Sequence, residues 1–363
     1  MKKTVIILGA GASAGSGASL MKDFLDKAEN VKPGDGYTGV EATRAIESFR
    51  TVFKGLRALR HAYAKSKIET RNIESVFAAF EMAKLLGTLP GLEPDEIESL
   101  TFAMQHVIRD TVETSVRFRF DDKHYLPPWP YNDFVVKFIQ KAERERITIL
   151  TFNYDINLEY ALFYNGINAE YCLGENKTGS LKVLKLHGSL NWFRCGACEQ
   201  IAPITMAMLD NQHQFNWRPV TDTLFALRIG PSVSQLYHCP KKLGVLDGPV
   251  IVPPTSNKLA QHTELKSVWA AAATELANAE NVLVFGYSLP ASDHFFRYLY
   301  ALGSIGDARP KRFWVFDPCP DGTVEQRFAD VLGPETADRF QMRKMDFAAA
   351  LNDGNWQEAV LLS

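Results

Sequence analysis

The stretch TVIILGAGASAGSGA, Thr4 to Ala18, decides the fold. Its first half is β-branched and apolar without polar alternation, the pattern of a strand buried on both faces of a parallel sheet. Its second half holds only glycine, alanine and serine and fits G-x-G-x-x-A from Gly9 to Ala14. Glycine reaches φ values closed to other residues and lets a backbone approach a ligand closely. A helix that opens directly after such a turn aims its first amides at an anion such as a pyrophosphate. The turn therefore predicts a nucleotide site built from Gly9, Ala10, Gly11, Ala12 and Ser13. One part of the dinucleotide fingerprint is missing, the acidic residue about 20 positions on at a second strand end. Asp23 and Asp26 fall in LMKDFLDKA, which reads as helix. A hydride-transfer dehydrogenase is not the expectation.

Working outward, four more apolar runs end in small or polar clusters: RITILTFNYD (146–155), LKVLKLHGSLNW (181–192), NVLVFGYSLPASD (281–293) and KRFWVFDPCP (311–320). Strands alternating with helical stretches indicate an α/β fold with a mainly parallel sheet. In such sheets ligands lie outside the carboxyl ends of the strands. That rule gathers Gly9 to Ser13, Asn153 to Asp155, His187 with Gly188, Gly286 to Ser288, and Asp317 along one rim.

Residues 40–120 read as a helical insertion. EATRAIESFRTVFKGLRALRHAYAKS spaces Ile46, Phe49, Val52, Phe53 and Leu56 as an amphipathic helix. NIESVFAAFEMAKLLG ends on a glycine suited to a C-cap. EPDEIESLTFAMQHVIRDTVETSV adds a helix with acidic residues at its positive dipole end. DKHYLPPWP then forms a proline-stiffened connection.

The totals bound the function classes. The chain has 363 residues, 46% hydrophobic and 23% charged, with a formal net charge of −2. That balance provides no bulk attraction for nucleic acid or an anionic membrane. No run approaches the ~20 apolar residues of a membrane helix. The lysines before the first apolar run are not followed by a cleavage site. Five cysteines, an odd number in a long chain, argue against a disulfide framework. A cytoplasmic protein is the expectation.

Taken in order, GAGAS, Thr151-Phe152-Asn153-Tyr154-Asp155, His187-Gly188 and Gly286-Tyr287-Ser288 resemble the sirtuin-like family across roughly residues 4–350. There a GAG-x-S loop, a T-Q-N-x-D strand end, an H-G pair and a G-T-S turn occur in the same sequence. The resemblance implies one sirtuin-like domain over 1–363: a Rossmann-like parallel sheet with helices on both faces, plus the helical insertion and a small ribbon-like lobe at 190–250. It implies NAD⁺ as substrate, with the Gly9 to Ser13 loop at the pyrophosphate. Asn153 then matches the residue that orients ribose hydroxyls or a water, Asp155 the aspartate near the carboxamide, and His187 the catalytic histidine. Gly286 and Ser288 match the turn at the phosphates and adenosine ribose, and Asp317 a polar residue at that ribose. MDFAAAL, around Asp346 and Phe347, is the candidate adenine-edge loop. The family's structural zinc would fall to Cys195, Cys198 and Cys239, with His238 or His213 completing four ligands.

Departures from the family pattern point to the acceptor. The G-I-P-D-F-R stretch after the first loop is absent, the T-Q-N-x-D glutamine is Phe152, and no F-G-E triplet appears near GPVIVPPTSNKL (248–259). Two prolines there remove donors that a docked peptide strand needs. Water is then the expected acceptor, and NAD⁺ glycohydrolase the expected activity. The resemblance extends to effectors of bacterial anti-phage defence, which act as homo-oligomers or with a partner protein. A protein deacylase or ADP-ribosyltransferase remains one alternative, and a catalytically silent NAD or ADP-ribose sensor another.

Overall fold

The computed structural model describes residues 3–61, 68–174, 180–210, 217–230, 246–252, 265–290, 293–303, 305 and 309–361. The chain divides into two compact units, one comprising Met1–Gly17, His124–Gly188 and Leu259–Ser363, the other Ala18–Lys123 and Ser189–Lys258.

The first unit is built on a seven-stranded sheet. Its strands are β1 (Lys3–Leu8), β2 (Ile147–Thr151), β3 (Ala169–Glu170), β4 (Leu181–Lys185), β5 (Ala279–Phe285), β6 (Arg312–Phe316) and β7 (Phe340–Arg343). They run in the order β7-β6-β5-β1-β2-β4-β3, every neighbouring pair parallel. β1 is central because its side chains from Val5 to Leu8 are buried on both faces, as a strand without polar alternation requires. On one face Ile6, Leu8, Ile149, Leu283, Phe285 and Phe316 pack with residues from Tyr131–Ile139 and the C-terminal helices Phe347–Asp353 and Asn355–Leu361. Phe285 stacks on Phe316 at 4.5 Å, and Trp356 sits 5.1 Å from Phe285. On the other face Phe313 meets Tyr300 of helix His294–Gly303 and Phe328 of helix Thr323–Ala329. Helix Lys266–Ala277 lies against β1 and β4. This is a Rossmann-like α/β fold with helices on both faces of the sheet.

In the second unit the helices Gly39–His61 and Ile73–Leu86 pack on the helix Pro94–Ser115. The last opens with proline at its first turn, and Glu93 and Glu96 form a reciprocal capping box. Asn72 caps the middle helix by accepting the amides of Glu74 and Ser75. The first helix buries Ala45, Phe49, Val52 and Leu56, while Ile46 is 52% exposed. At about 100° per residue, Ile46 sits roughly 90° from the centre of that stripe, so Ala45 takes its place. Antiparallel pairs complete the unit: Gly188–Cys195 with Ile201–Pro203, and Leu224–Leu227 with both Trp217–Pro219 and Phe118–Phe120.

Within the segment 181–192 the strand stops just before His187-Gly188, where the sequence also ends it. β4 ends at Lys185, the chain turns at Leu186 and His187, and extended structure resumes at Gly188, whose φ is 82°.

The two glycine turns lock together by backbone. A Cβ on Gly286, where φ is +60°, would stand 2.3 Å from the Ala12 nitrogen. Gly322 has a similar φ of +76° but open space around it. Gly322→Ala is expected to cost about 1–2 kcal/mol from the left-handed backbone alone. Gly286→Ala should cost clearly more, because the Gly9–Ser13 turn must also move. Urea unfolding of the two variants side by side separates the contributions.

Candidate functional site

The strand ends are level. Leu8 pairs with Thr151 and with Phe285, Thr151 with Lys185, and Phe285 with Phe316. The next residues, Gly9, Phe152, Leu186, Gly286 and Asp317, therefore form one row at the carboxyl edge, spaced by about 4.8 Å per strand. β1 has its chain successor β2 on one side and the late strand β5 on the other. That reversal of strand order is the crevice where α/β sheets take ligands, and Gly9 and Gly286 flank it.

The glycine turn is more self-contained than a phosphate loop needs to be. Gly9 N–H donates to Phe285 O (3.0 Å), Gly11 N–H to Gly286 O (2.8 Å) and Ala12 N–H to Gly9 O (3.0 Å). Gly9 and Gly11 are glycines because a Cβ on either would strike the Gly286–Tyr287 backbone. The amide of Ala10 is not engaged in these bonds. Ser288 is half-buried beside this turn, its carbonyl accepting from Arg327 Nη1 at 3.2 Å.

Asn153 is stitched to the same turn. Thr151 Oγ1 donates to Leu8 O and accepts the Asn153 amide, which sets the backbone. Asn153 Nδ2 then donates to Gly9 O at 2.9 Å and Ser13 Oγ at 3.0 Å, with Tyr131 OH at 3.5 Å. Its donor capacity is used inside the protein. The carbonyl Oδ1, an acceptor, is the group that remains for a hydroxyl. Ser13 and Tyr131 share a 2.7 Å hydrogen bond, and burial raises the Tyr131 phenol well above its ordinary range.

Asp155 is buried behind Asn153. Its Oδ1 accepts the Asn157 amide at the head of helix Asn157–Tyr164, and Ser13 bonds the carboxylate as well. Desolvation pushes its carboxyl up, against the pull of the Lys185 ammonium. Lys185 is itself 1% exposed. Its Nζ donates to Glu159 Oε1 at 2.7 Å and to the Asp155 carbonyl. Asn157 Nδ2 reaches Ser16 Oγ at 2.8 Å, tying the floor back to the first turn.

His187 occupies the next position along the row. Its ring lies 5.0 Å edge-on from Phe152 and 6.2 Å from Tyr154. Nε2 faces Asp293 Oδ1 at 3.6 Å, and Tyr287 OH donates to Asp293 Oδ2 at 2.9 Å. His187 is thus linked through Phe152 and Tyr287 to the elements that carry Asn153 and Gly286. Asp317, at the far end of the row, accepts the Cys319 amide, and burial raises its carboxyl.

Asp346 and Phe347 have other duties. Asp346 caps helix Phe347–Asp353 by accepting the Ala349 amide. Phe347 is buried in the core against Phe285, Tyr131 and Phe134, so its ring has no edge to offer an adenine.

Lys185, Tyr131, Asn157 and Asp293 were not selected from the sequence. A lysine inside the otherwise apolar LKVLKL run was the available signal for Lys185, since a buried parallel strand carries a cation only when something pairs it. Nothing local marks Tyr131 after the prolines.

Cys195 is buried and Cys198 half-buried on the turn between Gly188–Cys195 and Ile201–Pro203. Cys239, His238 and His213 lie outside the described residues. Among the described residues no group of three or more His, Cys, Asp or Glu stands ready for a metal, and two sulfurs alone do not hold a tetrahedral zinc. Most of GPVIVPPTSNKL also lies outside them. No described helix is long and apolar enough to cross a membrane.

No known protein family and no curated protein matches the chain. Among solved structures it is similar to a mutant Sir2 homologue in complex with ADP-ribose, at 14% identity over 99% of this chain and 93% of that one, TM-score 0.41. A Sir2 homologue–NAD complex gives 14% identity over 99% and 91%, TM-score 0.40. Sir2Tm bound to a propionylated peptide gives 14% over 99% and 94%, TM-score 0.39. Likeness this distant carries no argument about family, ligand or reaction, and the fold stands on its own strand order.

The buried Lys185–Glu159 pair carries a testable consequence for the floor of the site. Lys185→Met leaves the Glu159 carboxylate buried and unpaired and is expected to cost about 3–5 kcal/mol. Adding Glu159→Leu should recover part of that loss. Urea midpoints at constant slope measure both.

Proposed function

We propose that the chain hydrolyses NAD⁺ at the nicotinamide–ribose bond, giving nicotinamide and ADP-ribose. The observation that carries this reading is the placing of Asn153 and His187 at the ends of adjacent parallel strands, beside the locked Gly9–Ser13 and Gly286 turns. The ordered resemblance to the sirtuin-like motifs supports it further.

The chemistry suits these groups. When the C–N bond breaks, its electron pair passes to the pyridinium nitrogen and leaves neutral nicotinamide, so no strong general acid is needed. The sugar carbon becomes oxocarbenium-like, as in glycoside hydrolysis. Asn153 Oδ1 accepts from a ribose hydroxyl or the attacking water and holds it against that carbon. His187 takes the proton that the new C–O bond releases, a role for which imidazole is suited near neutral pH. Asp155, desolvated and balanced by Lys185, provides an acceptor near the carboxamide. The Gly9–Ser13 turn, through the Ala10 amide, takes the pyrophosphate, while Ser288 and Asp317 are assigned to the adenosine ribose.

Phe152, standing where the family pattern has glutamine, makes the wall beside His187 apolar. We extend the reading to an anti-phage effector that works as an oligomer or with a partner protein, and to a structural zinc on Cys195, Cys198 and Cys239. Both extensions rest on the resemblance alone, and no step of the reaction runs through zinc.

Purified chain incubated with NAD⁺ should release nicotinamide and ADP-ribose in equal amounts, followed by chromatography. Asn153→Ala and His187→Ala should each lower the rate by about 10²-fold or more with the fold retained. NAD⁺ consumed only when an acylated peptide is added points instead to deacylation. Tight nucleotide binding without turnover, insensitive to His187→Ala, points to a sensor.

A further inference from the structure

Beyond the motif residues, one carboxylate meets the histidine of the rim. Asp293 comes from the segment just before helix His294–Gly303 and is 5% exposed; His187 is 7% exposed. Imidazole Nε2 and carboxylate Oδ1 stand 3.6 Å apart. That is an ion-pair separation, longer than a hydrogen bond. The other carboxylate oxygen is fixed by the Tyr287 hydroxyl at 2.9 Å. Tyr287 is held in turn by Phe152, whose ring stacks on it at 4.2 Å with an 8° interplanar angle, and by Phe296 at 5.4 Å. The Asp293 amide donates to Pro290 O at 3.0 Å.

Titratable groups near the imidazole include Asp293, Tyr154 from the turn after β2, and Tyr287, which acts through Asp293. Phe152 forms the apolar wall. A carboxylate this close favours the charged imidazolium and opposes the desolvation that disfavours it. A carboxylate that faces Nε2 favours a proton on that nitrogen and fixes the direction in which the ring points.

We propose that Asp293, anchored by the Tyr287 hydroxyl, is the positioning residue that orients His187 and sets its basicity for the proton transfer proposed above. The proposal rests on the hydrolase reading for its catalytic part. The pairing itself is independent of any substrate.

Two measurements on the full chain test it. The first follows the His187 imidazole by NMR with selectively labelled histidine across pH. Asp293→Asn should lower its titration midpoint by about one pH unit. Tyr287→Phe keeps the ring that stacks on Phe152 and removes one donor from the carboxylate, so it should move the midpoint upward. Asp293→Glu should return it toward the wild-type value. The second measures nicotinamide release from NAD⁺ against pH. Asp293→Asn should lower kcat by about 10²-fold with KM within a few-fold, and shift the acid limb to lower pH. A His187 midpoint that moves in neither Asp293→Asn nor Tyr287→Phe overturns the pairing, and the second variant keeps that test open if the first does not fold. An active wild type whose kcat survives Asp293→Asn overturns the positioning role. A wild type that releases no nicotinamide overturns the hydrolase reading and the catalytic role resting on it, while the NMR titration still decides the pair.

Discussion

The backbone of Gly11 lies against the backbone of Gly286, with no side chain between them and a 2.8 Å hydrogen bond joining them. This contact joins the first turn of the sheet to a turn from a strand almost 280 residues later in the chain. Asn153 hydrogen-bonds the carbonyl of Gly9, and Tyr287 follows directly on Gly286. The amide at one side of the rim and the carboxylate–imidazole pair at the other are therefore referenced to one rigid junction. A loop free to relax would lose that registration, and a sub-ångström fit is what orientation effects in catalysis demand.

Below the junction the site stands on buried charge. Lys185, Glu159 and Asp155 are nearly or fully out of water, so each must find its partner inside the protein. Such a cluster is a weak source of net stability, because desolvation offsets attraction. What it supplies is a defined arrangement: Lys185 holds the Asp155 carbonyl while Asp155 holds the head of the following helix. The second unit keeps a similar cluster of its own, where Arg228 and Glu113 are paired at 3.0 Å and Tyr37 donates to Asp110.

The aromatic residues divide the labour on the first unit's sheet. Phe285, Phe316, Phe347 and Trp356 fill one face as core. Phe152 and Tyr287, at the rim, stack on each other and also touch the His187 ring and the Asp293 carboxylate. An aromatic pair stacked at 4.2 Å keeps a tyrosine hydroxyl and a histidine ring where rotamer freedom would otherwise scatter them.

The sequence by itself determined the strand-and-turn rhythm, because burial on both faces writes uninterrupted apolar runs and tight turns write glycine. β2 and β6 lie inside the runs read as strands, while β1 begins one residue before its run, at Lys3, and β5 two residues before, at Ala279. It also located the polar clusters, because apolar runs must stop where water begins. Tertiary structure alone decided what those clusters do. Helix periodicity separates Ala45 from Ile46 by about 100°, and packing against the helix Pro94–Ser115 decides which of the two faces is buried. MDFAAAL offered an acid and an aromatic, and only the fold showed a helix cap and a core ring. Which carboxylate faces His187, and which end of the Asn153 amide is left over, depends on partners more than 100 residues away in the chain. Hydrogen bonds and ion pairs act over a few ångströms, and no local pattern of residues encodes which distant atoms folding brings within that reach.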